Sequence, residues 1–139
     1  MMRSVLILQR ILPHYRFPVF DRMARSLCDS NIRMQLIYGQ EYPGSVTKSI
    51  PVDSPWAYRA PNRYVKLGGR EVVFQQVPSE QLSVDLVILE QANRLLSNYP
   101  ILFSRKRGRR IAYWGHGKNM QNGRGFSEKL KKKLLKKVD

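Results

Sequence analysis

Cysteine and histidine are scarce in this sequence, and this limits the chemistry it can support. The only cysteine, Cys28, excludes an internal disulfide and is typical of a protein from a reducing compartment, so a cytoplasmic location is expected. The two histidines, His14 and His116, lie far apart in the chain, and no second cysteine accompanies them. They do not have the ligand spacing of a zinc site, and we predict no metal.

Long apolar runs and the common nucleotide and nucleophile motifs are also missing. No apolar stretch approaches the roughly 20 residues of a membrane-spanning helix. The segment GHGKN is not a phosphate-binding P-loop, because Ala112 stands where the upstream glycine is required and Asn119 replaces Ser or Thr. No G-x-G-x-x-G follows the first predicted strand, and no serine occupies a nucleophile elbow. We therefore expect no bound cofactor.

Acidic residues are few, and the resulting positive charge is unevenly distributed. The formal net charge is +15, of which residues 105–139, with 13 Lys and Arg against two acidic residues, carry +11. Residues 1–104 carry only +4. Clustered positive charge indicates an anionic partner, either nucleic acid, an anionic membrane or phosphate groups. The alternative is a lysine-rich helix whose charge serves solubility.

The hydrophobic pattern alternates between strand and helix periodicity along the chain. Apolar or alternating runs predict strands at Ser4–Leu8, Ile32–Tyr38, Asp85–Leu89 and Arg110–Trp114, and a hairpin around Gly68 and Gly69. Three- and four-residue spacing predicts helices over 17–27, over 93–106 with a kink at Pro100, and over 126–138. Repeated Pro and Gly predict that residues 40–62 are irregular.

Strands that alternate with helices in this way predict one α/β domain over residues 1–139. Its architecture is expected to be Rossmann-like, a mainly parallel sheet flanked by helices. Ligands of such folds bind beyond the carboxyl ends of the strands. The loops at 10–16, 90–94 and 115–125 are therefore the predicted places for a site.

The first two of these loops supply four candidate residues. His14 and Arg16 stand just before a predicted helix N-terminus, where backbone N–H groups favour an anion; an ordinary strand-to-helix turn is the alternative. Glu90 directly follows a buried strand and either accepts hydrogen bonds from a substrate hydroxyl or pairs with Arg94. Asn93 is a candidate for substrate binding and also a plausible N-cap of the next helix.

The third loop contains the sequence WGHGKN. Gly115 and Gly117 allow the backbone to approach a ligand closely. Between them, His116 can donate or accept a hydrogen bond, or carry a proton near neutral pH. The alternative is a glycine turn that follows a buried Trp114. The position at the ligand-binding edge of the predicted sheet favours a functional role.

Three segments together carry a resemblance to a known family. HYRFPVFDRMA, DLVILEQANRLLSN and RRIAYWGHGKN resemble, in the same order and over nearly the whole chain, the N-terminal domain of GT-B glycosyltransferases of the retaining, glycogen-synthase-like kind (family 4). In that family this domain binds the sugar acceptor, a second Rossmann-like domain holds the nucleotide-sugar donor, and catalysis occurs in the cleft between them, usually without a metal. The first loop here lacks the double glycine that many members have.

The resemblance implies an enzyme that transfers sugar from a nucleotide-sugar to a polysaccharide or lipid-linked acceptor. It implies that His116 is the catalytic residue, facing the transferring sugar. It also matches His14 and Arg16 to a loop that borders the same cleft. Together with the loop positions described above, the predicted substrate-binding residues are His14, Arg16, Glu90, Asn93, Gly115, Gly117 and Asn119. No donor domain follows the acceptor-like segment in the 139 residues, so we expect a fragment, a truncated product or one half of a split enzyme, inactive alone.

Two other functions, and a membrane contact, are also compatible with the sequence. A basic nucleic-acid-binding module is one alternative, although no recognisable DNA- or RNA-binding motif is present, and a non-catalytic subunit of a split glycosyltransferase is the other. The terminal helix predicts peripheral attachment to the inner face of an anionic membrane, with its apolar stripe on the lipid or, alternatively, packed on the sheet. The lysines available for that contact are Lys129, Lys131, Lys132, Lys133, Lys136 and Lys137.

Overall fold

The computed structural model describes residues 1–104, 107–115 and 126–139, with the side chains of 126–128 left out. Within these residues the strands are β1 (Arg3–Ile11), β2 (Ile32–Gly39), β3 (Ala57–Arg59), β4 (Asn62–Leu67), β5 (Arg70–Gln75), β6 (Leu86–Glu90) and β7 (Arg110–Trp114). The helices are α1 (Phe17–Asp29), α2 (Asn98–Phe103) and α3 (Phe126–Leu135). Short 3-10 turns cover His14–Arg16 and Ser79–Leu82.

Five of the strands form one parallel sheet in the order β3-β2-β1-β6-β7. The central strand β1 pairs with β2 on one side and with β6 on the other, in the register Leu8 to Ile37 and Leu8 to Leu89. Strands β4 and β5 form a separate antiparallel hairpin. This arrangement confirms the predicted α/β class, a Rossmann-like parallel sheet flanked by helices.

Both faces of the sheet are covered, which explains the unbroken apolar run in β1. Leu6 and Leu8 belong to a core that includes Ile101 of α2 and Leu134 of α3. Ile7, which points to the opposite face, packs in a second core with residues of α1 such as Phe20 and Ala24. A strand buried on both faces needs consecutive apolar residues rather than alternating ones.

Helix α1 begins at the predicted Phe17 and ends at Asp29, two residues beyond the predicted end at residue 27. Pro18 lies in the first turn, where its missing N–H group costs nothing. At the other end, Ser30 N–H donates to Leu27 O at 3.0 Å and Asn31 N–H to Cys28 O at 2.9 Å. Asn31 takes a φ of 59°, the left-handed conformation that asparagine tolerates better than most residues.

The hairpin around Gly68 and Gly69 also confirms its prediction. These residues have φ values of 56° and 74°, as a two-residue turn with both central residues in the left-handed region requires. The turn pairs Leu67 with Arg70, and the ladder continues to Asn62 and Gln75. The hairpin therefore brings Gln75 back to the level of Asn62, beside the end of β1.

The predicted helix over 93–106 is wrong in its first half. Helix α2 begins only at Asn98, and the segment before it pairs with β5: Val73 N–H donates to Arg94 O at 2.9 Å, and Leu96 N–H to Val73 O at 2.8 Å. These tertiary hydrogen bonds override a helical apolar pattern. Pro100 consequently falls in the first turn of α2 instead of kinking a longer helix.

The segment 40–62 and the end of α3 also differ from the prediction. The segment 40–62, expected to be irregular, contains the short edge strand β3, whose Ile37-to-Tyr58 register extends the sheet, and ends at the first residue of β4. Helix α3 ends at Leu135 rather than at residue 138. A helix able to cross a lipid bilayer would have to be longer and more apolar than any that the structure describes.

Candidate functional site

The order of strands in the sheet reverses direction at the boundary between β1 and β6, which are neighbours in the sheet but not in sequence. Strands β2 and β3 extend the sheet on one side of β1, and β6 and β7 extend it on the other. The neighbouring strands β1 and β6 are therefore followed by chain segments that continue toward opposite edges of the sheet. A crevice forms outside the carboxyl ends of two such strands, and it is the usual ligand position in open α/β sheets. The polar residues at this edge are therefore the first candidates for a site.

Glu90 and Arg10 mark the ends of these two strands. Regular pairing between β1 and β6 stops at Leu8 and Leu89, and the register of β1 against β2 shifts between Leu8 and Ile11. Beyond that point the Arg10 N–H group donates to Glu90 Oε2 at 2.5 Å. The sequence offered a substrate hydroxyl or Arg94 as the partner of Glu90; in the structure a backbone N–H group of the adjacent strand is one partner of this carboxylate.

Buried side-chain amides satisfy the last carbonyl groups of both strands. The pairs are Gln75 Nε2 to Gln9 O at 3.0 Å, Asn62 Nδ2 to Arg10 O at 2.7 Å, and Asn98 Nδ2 to Glu90 O at 2.8 Å. The donors come from β5, β4 and α2, so three elements are tied to one edge of the sheet. Unpaired buried carbonyl groups are costly, and these contacts fix the floor of the crevice.

The resulting cavity has a volume of about 320 Å³ and opens at this edge. We call it the switch-point cavity. Its charged lining residues are Arg10, Glu71, Glu90, Arg94 and Lys131, and its other lining residues are Val73, Gln91, Ala92, Asn93 and Leu95. The two carboxylates can accept hydrogen bonds from ligand hydroxyl groups, and the three cations can bind an anionic group.

Of the predicted site residues, Glu90 and Asn93 both line this cavity. Asn93 is not a helix N-cap, because α2 begins further on with Ser97 in the N-cap position; its carbonyl oxygen accepts from the Tyr99 hydroxyl at 3.0 Å. The N-cap interpretation of Asn93 is therefore wrong.

His14 and Arg16 lie in the 3-10 turn between β1 and α1 and are not among the described residues that line the cavity. His14 is exposed, and its ring meets that of Tyr15 edge-on at 5.7 Å. Arg16 turns back toward the sheet, where its Nη1 donates to the fully buried Gln9 Oε1 at 2.9 Å. Arg16 thus reaches the end of β1, whereas His14 faces solvent.

Gly115 follows β7 directly and lies against the loop after β6. The Gln91 N–H group donates to Trp114 O at 2.9 Å, and a Cβ atom at position 115 would overlap with the Gln91 side chain. A side chain at position 115 would therefore require the Gln91 side chain to move. His116, Gly117 and Asn119, the remaining predicted residues, lie outside the described part of the chain.

Ionisation near the site is shaped by burial. Burial raises the pKa of the Tyr64 hydroxyl, an effect that the nearby Arg10 guanidinium partly opposes, and the same hydroxyl donates to Gln40 O at 2.8 Å. Burial raises the pKa of Tyr113, on β7, to about 12, with the charge of Tyr99 as a further cause. Both phenols therefore stay protonated to a higher pH than an exposed tyrosine.

Sequence reasoning missed Arg10, Glu71, Arg94 and Lys131 as lining residues. Arg10 lies in the range 10–16, which the sequence predicted as a loop after a strand. Its position there could therefore have identified it as a candidate lining residue. Glu71 and Lys131 reach the cavity only because β5 and α3 fold over this edge, which no local pattern indicates. Within the described residues, no three His, Cys, Asp or Glu side chains are placed to share a metal ion.

Comparisons with protein-family models, with curated proteins and with solved structures give no match for this chain. The chain's own residues and the geometry of the switch-point cavity are therefore the features that bear on its function.

Proposed function

We propose that this chain is the acceptor-binding domain of a retaining, nucleotide-sugar-dependent glycosyltransferase. The acceptor would be a polysaccharide or a lipid-linked sugar. The observation that carries the proposal is a cavity with two carboxylates and three cations at the carboxyl ends of a parallel sheet, where β1 meets β6. Sugar acceptors present many hydroxyl groups, and paired carboxylates are suited to accept hydrogen bonds from them.

The family resemblance supports the same proposal from a separate direction. The segment HYRFPVFDRMA begins just after β1, EQANR spans the end of β6 and the loop beyond it, and the WGHG segment begins at the last residue of β7. The carboxyl ends of parallel strands lie on one edge of the sheet. The described parts of the three segments that resemble the family thus reach the edge at which the resemblance implies acceptor binding.

In the complete reaction, the bond between the transferring sugar and its nucleotide diphosphate breaks and a bond to an acceptor oxygen forms. Transfer passes through an oxocarbenium-like transition state, and basic groups and helix N-termini stabilise the leaving diphosphate. In this proposal His116 contacts the transferring sugar. Glu90, held by the Arg10 N–H group, accepts a hydrogen bond from an acceptor hydroxyl.

Carbohydrate binding tests the proposal directly. A glycan array identifies bound oligosaccharides, and an NMR titration of ¹⁵N-labelled protein then measures affinity and locates the shifted amides. We expect shifts at the ends of β1 and β6, and an affinity at least about tenfold lower for Glu90→Gln, because a hydrogen bond to a charged group is worth about 1.5–3 kcal/mol.

Glu80→Gln is the matched control, since Glu80 is exposed in the turn Ser79–Leu82 and does not line the cavity. Failure of every glycan to bind the folded protein would contradict the proposal. When the donor-binding half is supplied, His116→Ala should abolish sugar transfer; wild-type turnover in that variant would remove His116 from the mechanism.

We also propose that the exposed lysines of α3 and of the turn after it contact an anionic membrane on its inner face. The observation that favours this is the lysine face, which we define as Lys129, Lys132, Lys133, Lys136 and Lys137, all exposed. The apolar side of the same helix is engaged elsewhere: Leu134 is buried against the sheet, with Leu130 and Val138 packed beside it. The membrane attachment would therefore be electrostatic, and the apolar stripe of the helix would not insert into the lipid.

A further inference from the structure

The first residues of β2 border an open groove at the end of the sheet opposite to the switch-point cavity. Residues 32–35 of β2 pair with β1 on one side, but the pairing of β2 with β3 begins only at Leu36, opposite Ala57. The Leu36 N–H group donates to Trp56 O at 2.7 Å, and just before that residue the chain makes a turn, in which Ala57 N–H donates to Ser54 O at 3.0 Å. Because β3 is short, no described strand covers this side of residues 32–35.

The groove lies between the start of β2, the end of α1 and the turn before β3, and we call it the amino-edge groove. Its volume of about 420 Å³ exceeds that of the switch-point cavity and lies within the roughly 300–1,000 Å³ range of small-molecule sites. Two arginines and Gln35 line it, and none of the described lining residues is acidic. The rest of the lining is Met2, Ala24, Cys28, Ile32, Met34, Pro55 and Trp56.

We propose that the amino-edge groove binds a free, single-chain anionic amphiphile such as a fatty acid. The apolar chain lies in the groove, and the carboxylate contacts the two arginines, Arg25 and Arg33. This ligand is distinct from the sugar acceptor, and its binding does not depend on the proposed sugar transfer.

Charge complementarity identifies the head group of the ligand. Arg25 belongs to α1 and Arg33 to β2, so the two exposed arginines line the groove from two elements. Arg25 forms an ion pair with Asp21, but an exposed pair of this kind contributes little free energy, so the guanidinium can also bind a ligand carboxylate. Guanidinium groups hold carboxylates through two parallel N–H groups, and their position beside an apolar lining favours a ligand with one negative end.

The apolar lining suits a flexible chain. Met2 and Met34 have unbranched side chains, which adapt to apolar ligands of varied shape. Trp56 packs against Phe17, with ring centroids 5.8 Å apart, and this contact orients one aromatic side of the groove. Met2 is 58% exposed, so an apolar chain in the groove removes apolar surface of both partners from water, which favours binding.

The test is an NMR titration of the ¹⁵N-labelled 139-residue chain with decanoate, octanoate, decanol and decyltrimethylammonium, each below its micelle concentration. We expect decanoate to shift the Trp56 indole N–H and the amides of Met34 and Gln35. It should bind at least about tenfold more tightly than decanol or the cationic amphiphile. Octanoate should bind about fifteenfold more weakly than decanoate, because each buried methylene group contributes about fourfold.

Two substitutions on α1 locate the apolar chain. Cys28→Phe places a bulky side chain in the groove from an exposed position and should abolish decanoate binding. Ser26→Phe adds the same side chain at an exposed position of α1 outside the groove and should leave the affinity unchanged. Circular dichroism of both variants checks that they are folded.

Two double variants locate the head group and change only exposed side chains. Arg25→Gln with Arg33→Gln should weaken decanoate at least about tenfold and leave decanol unchanged. Arg22→Gln with Arg70→Gln removes the same net charge from exposed positions outside the groove and should have no effect on either probe.

Four results would overturn the proposal: no shift at Trp56 with any probe, equal affinity for decanoate and decanol or the cationic amphiphile, equal losses in a variant and its control, or spectra that change with protein concentration because a second copy fills the groove. Weaker flotation of Cys28→Phe than of Ser26→Phe on anionic vesicles would show that the chain comes from a bilayer, and would overturn the assignment to a free ligand. None of these results bears on the acceptor proposal, whose expected shifts lie at the ends of β1 and β6.

Discussion

At the scale of single residues, Asn62 holds two segments of backbone at the end of β1. Its Nδ2 donates to Arg10 O at 2.7 Å and to Gln40 O at 2.8 Å, and the side chain is almost fully buried. Gly39 lies so close that a Cβ atom there would overlap with the Asn62 amide. One amide thereby fixes the spacing between the ends of β1 and β2.

Asn62→Asp keeps this shape but replaces the donor with a carboxylate that faces two carbonyl oxygens. We expect the free energy of unfolding at pH 7 to fall by at least about 2 kcal/mol, measured by urea denaturation. Asn31→Asp makes the same change at an exposed position and should cost less than about 1 kcal/mol. Equal losses in the two variants would show that the buried hydrogen bonds of Asn62 contribute nothing specific.

Tyr113 gives the protein a defined sensitivity to alkaline pH. Burial, followed by the charge of Tyr99, raises its pKa to about 12 in the folded chain, whereas an unfolded tyrosine ionises near pH 10. Between these values the unfolded state binds fewer protons than the folded state, so stability falls as the pH rises from about 10 to about 12. At lower pH the phenol is neutral in both states and adds no pH dependence.

Tyr113→Phe should therefore flatten the loss of stability in that pH window, as measured by chemical denaturation at several pH values. Tyr15→Phe, at an exposed position, is the control and should leave the alkaline loss unchanged. If both variants lose stability as steeply as the wild type, the alkaline sensitivity arises from other groups, and Tyr113 does not carry it.

At the scale of elements, the prediction succeeded where one periodicity dominated and failed where tertiary hydrogen bonds competed. Strand β7 has the predicted bounds, Arg110–Trp114, because its apolar run lies between clear breaks. The segment before α2 has a helical apolar pattern, yet Leu95 is buried through pairing with β5 instead. The local spacing of apolar residues does not indicate such a contact, because the two residues are distant in sequence.

Helix α3 is the element whose packing is most easily tested. Leu134 is 8% exposed and sits in the core formed with Leu6, Leu8 and Val87, whereas Leu135 is 46% exposed. Leu134→Ala should lower the free energy of unfolding by about 2–5 kcal/mol, because it leaves a cavity against the sheet. Leu135→Ala makes the same truncation outside the core and should cost about 0.5 kcal/mol or less.

The measurement is thermal or urea denaturation of both variants beside the wild type. Similar costs at the two positions would show that α3 is not docked through Leu134. In that case the apolar stripe would be free for another partner, and the electrostatic form of membrane attachment proposed above would be wrong.

At the scale of the whole molecule, the sequence predicted the edge at which the candidate cavity lies but not which residues line it. The rule that ligands bind beyond strand ends identified Glu90 and Asn93, and both line the switch-point cavity. Lys131 looked like one more lysine of a basic helix, and only the docking of α3 distinguishes it from Lys132. Glu71 depends in the same way on where the hairpin folds. Residues from separate elements meet through packing, which a single sequence does not encode locally.

The net charge of +15 is a property of the whole molecule. How strongly this charge attracts an anionic surface depends on how the basic residues are distributed. A basic residue near an anionic membrane contributes about 1 kcal/mol, so a cluster binds far more strongly than scattered charges do. Four members of the lysine face, Lys132, Lys133, Lys136 and Lys137, are exposed within six successive positions. Flotation with vesicles that contain phosphatidylserine should therefore recover the wild-type chain at low salt.

Replacing those four lysines by glutamine should remove most of this binding, and raising the salt should release the wild type, because screening shortens the range of the attraction to about 8 Å at 0.15 M. The matched control replaces four exposed arginines elsewhere, Arg22, Arg33, Arg59 and Arg70, and so removes the same net charge from other surfaces. The control should float like the wild type. Equal loss in both quadruple variants would assign the attraction to net charge alone, and no flotation of the wild type would exclude the membrane contact that we propose for α3.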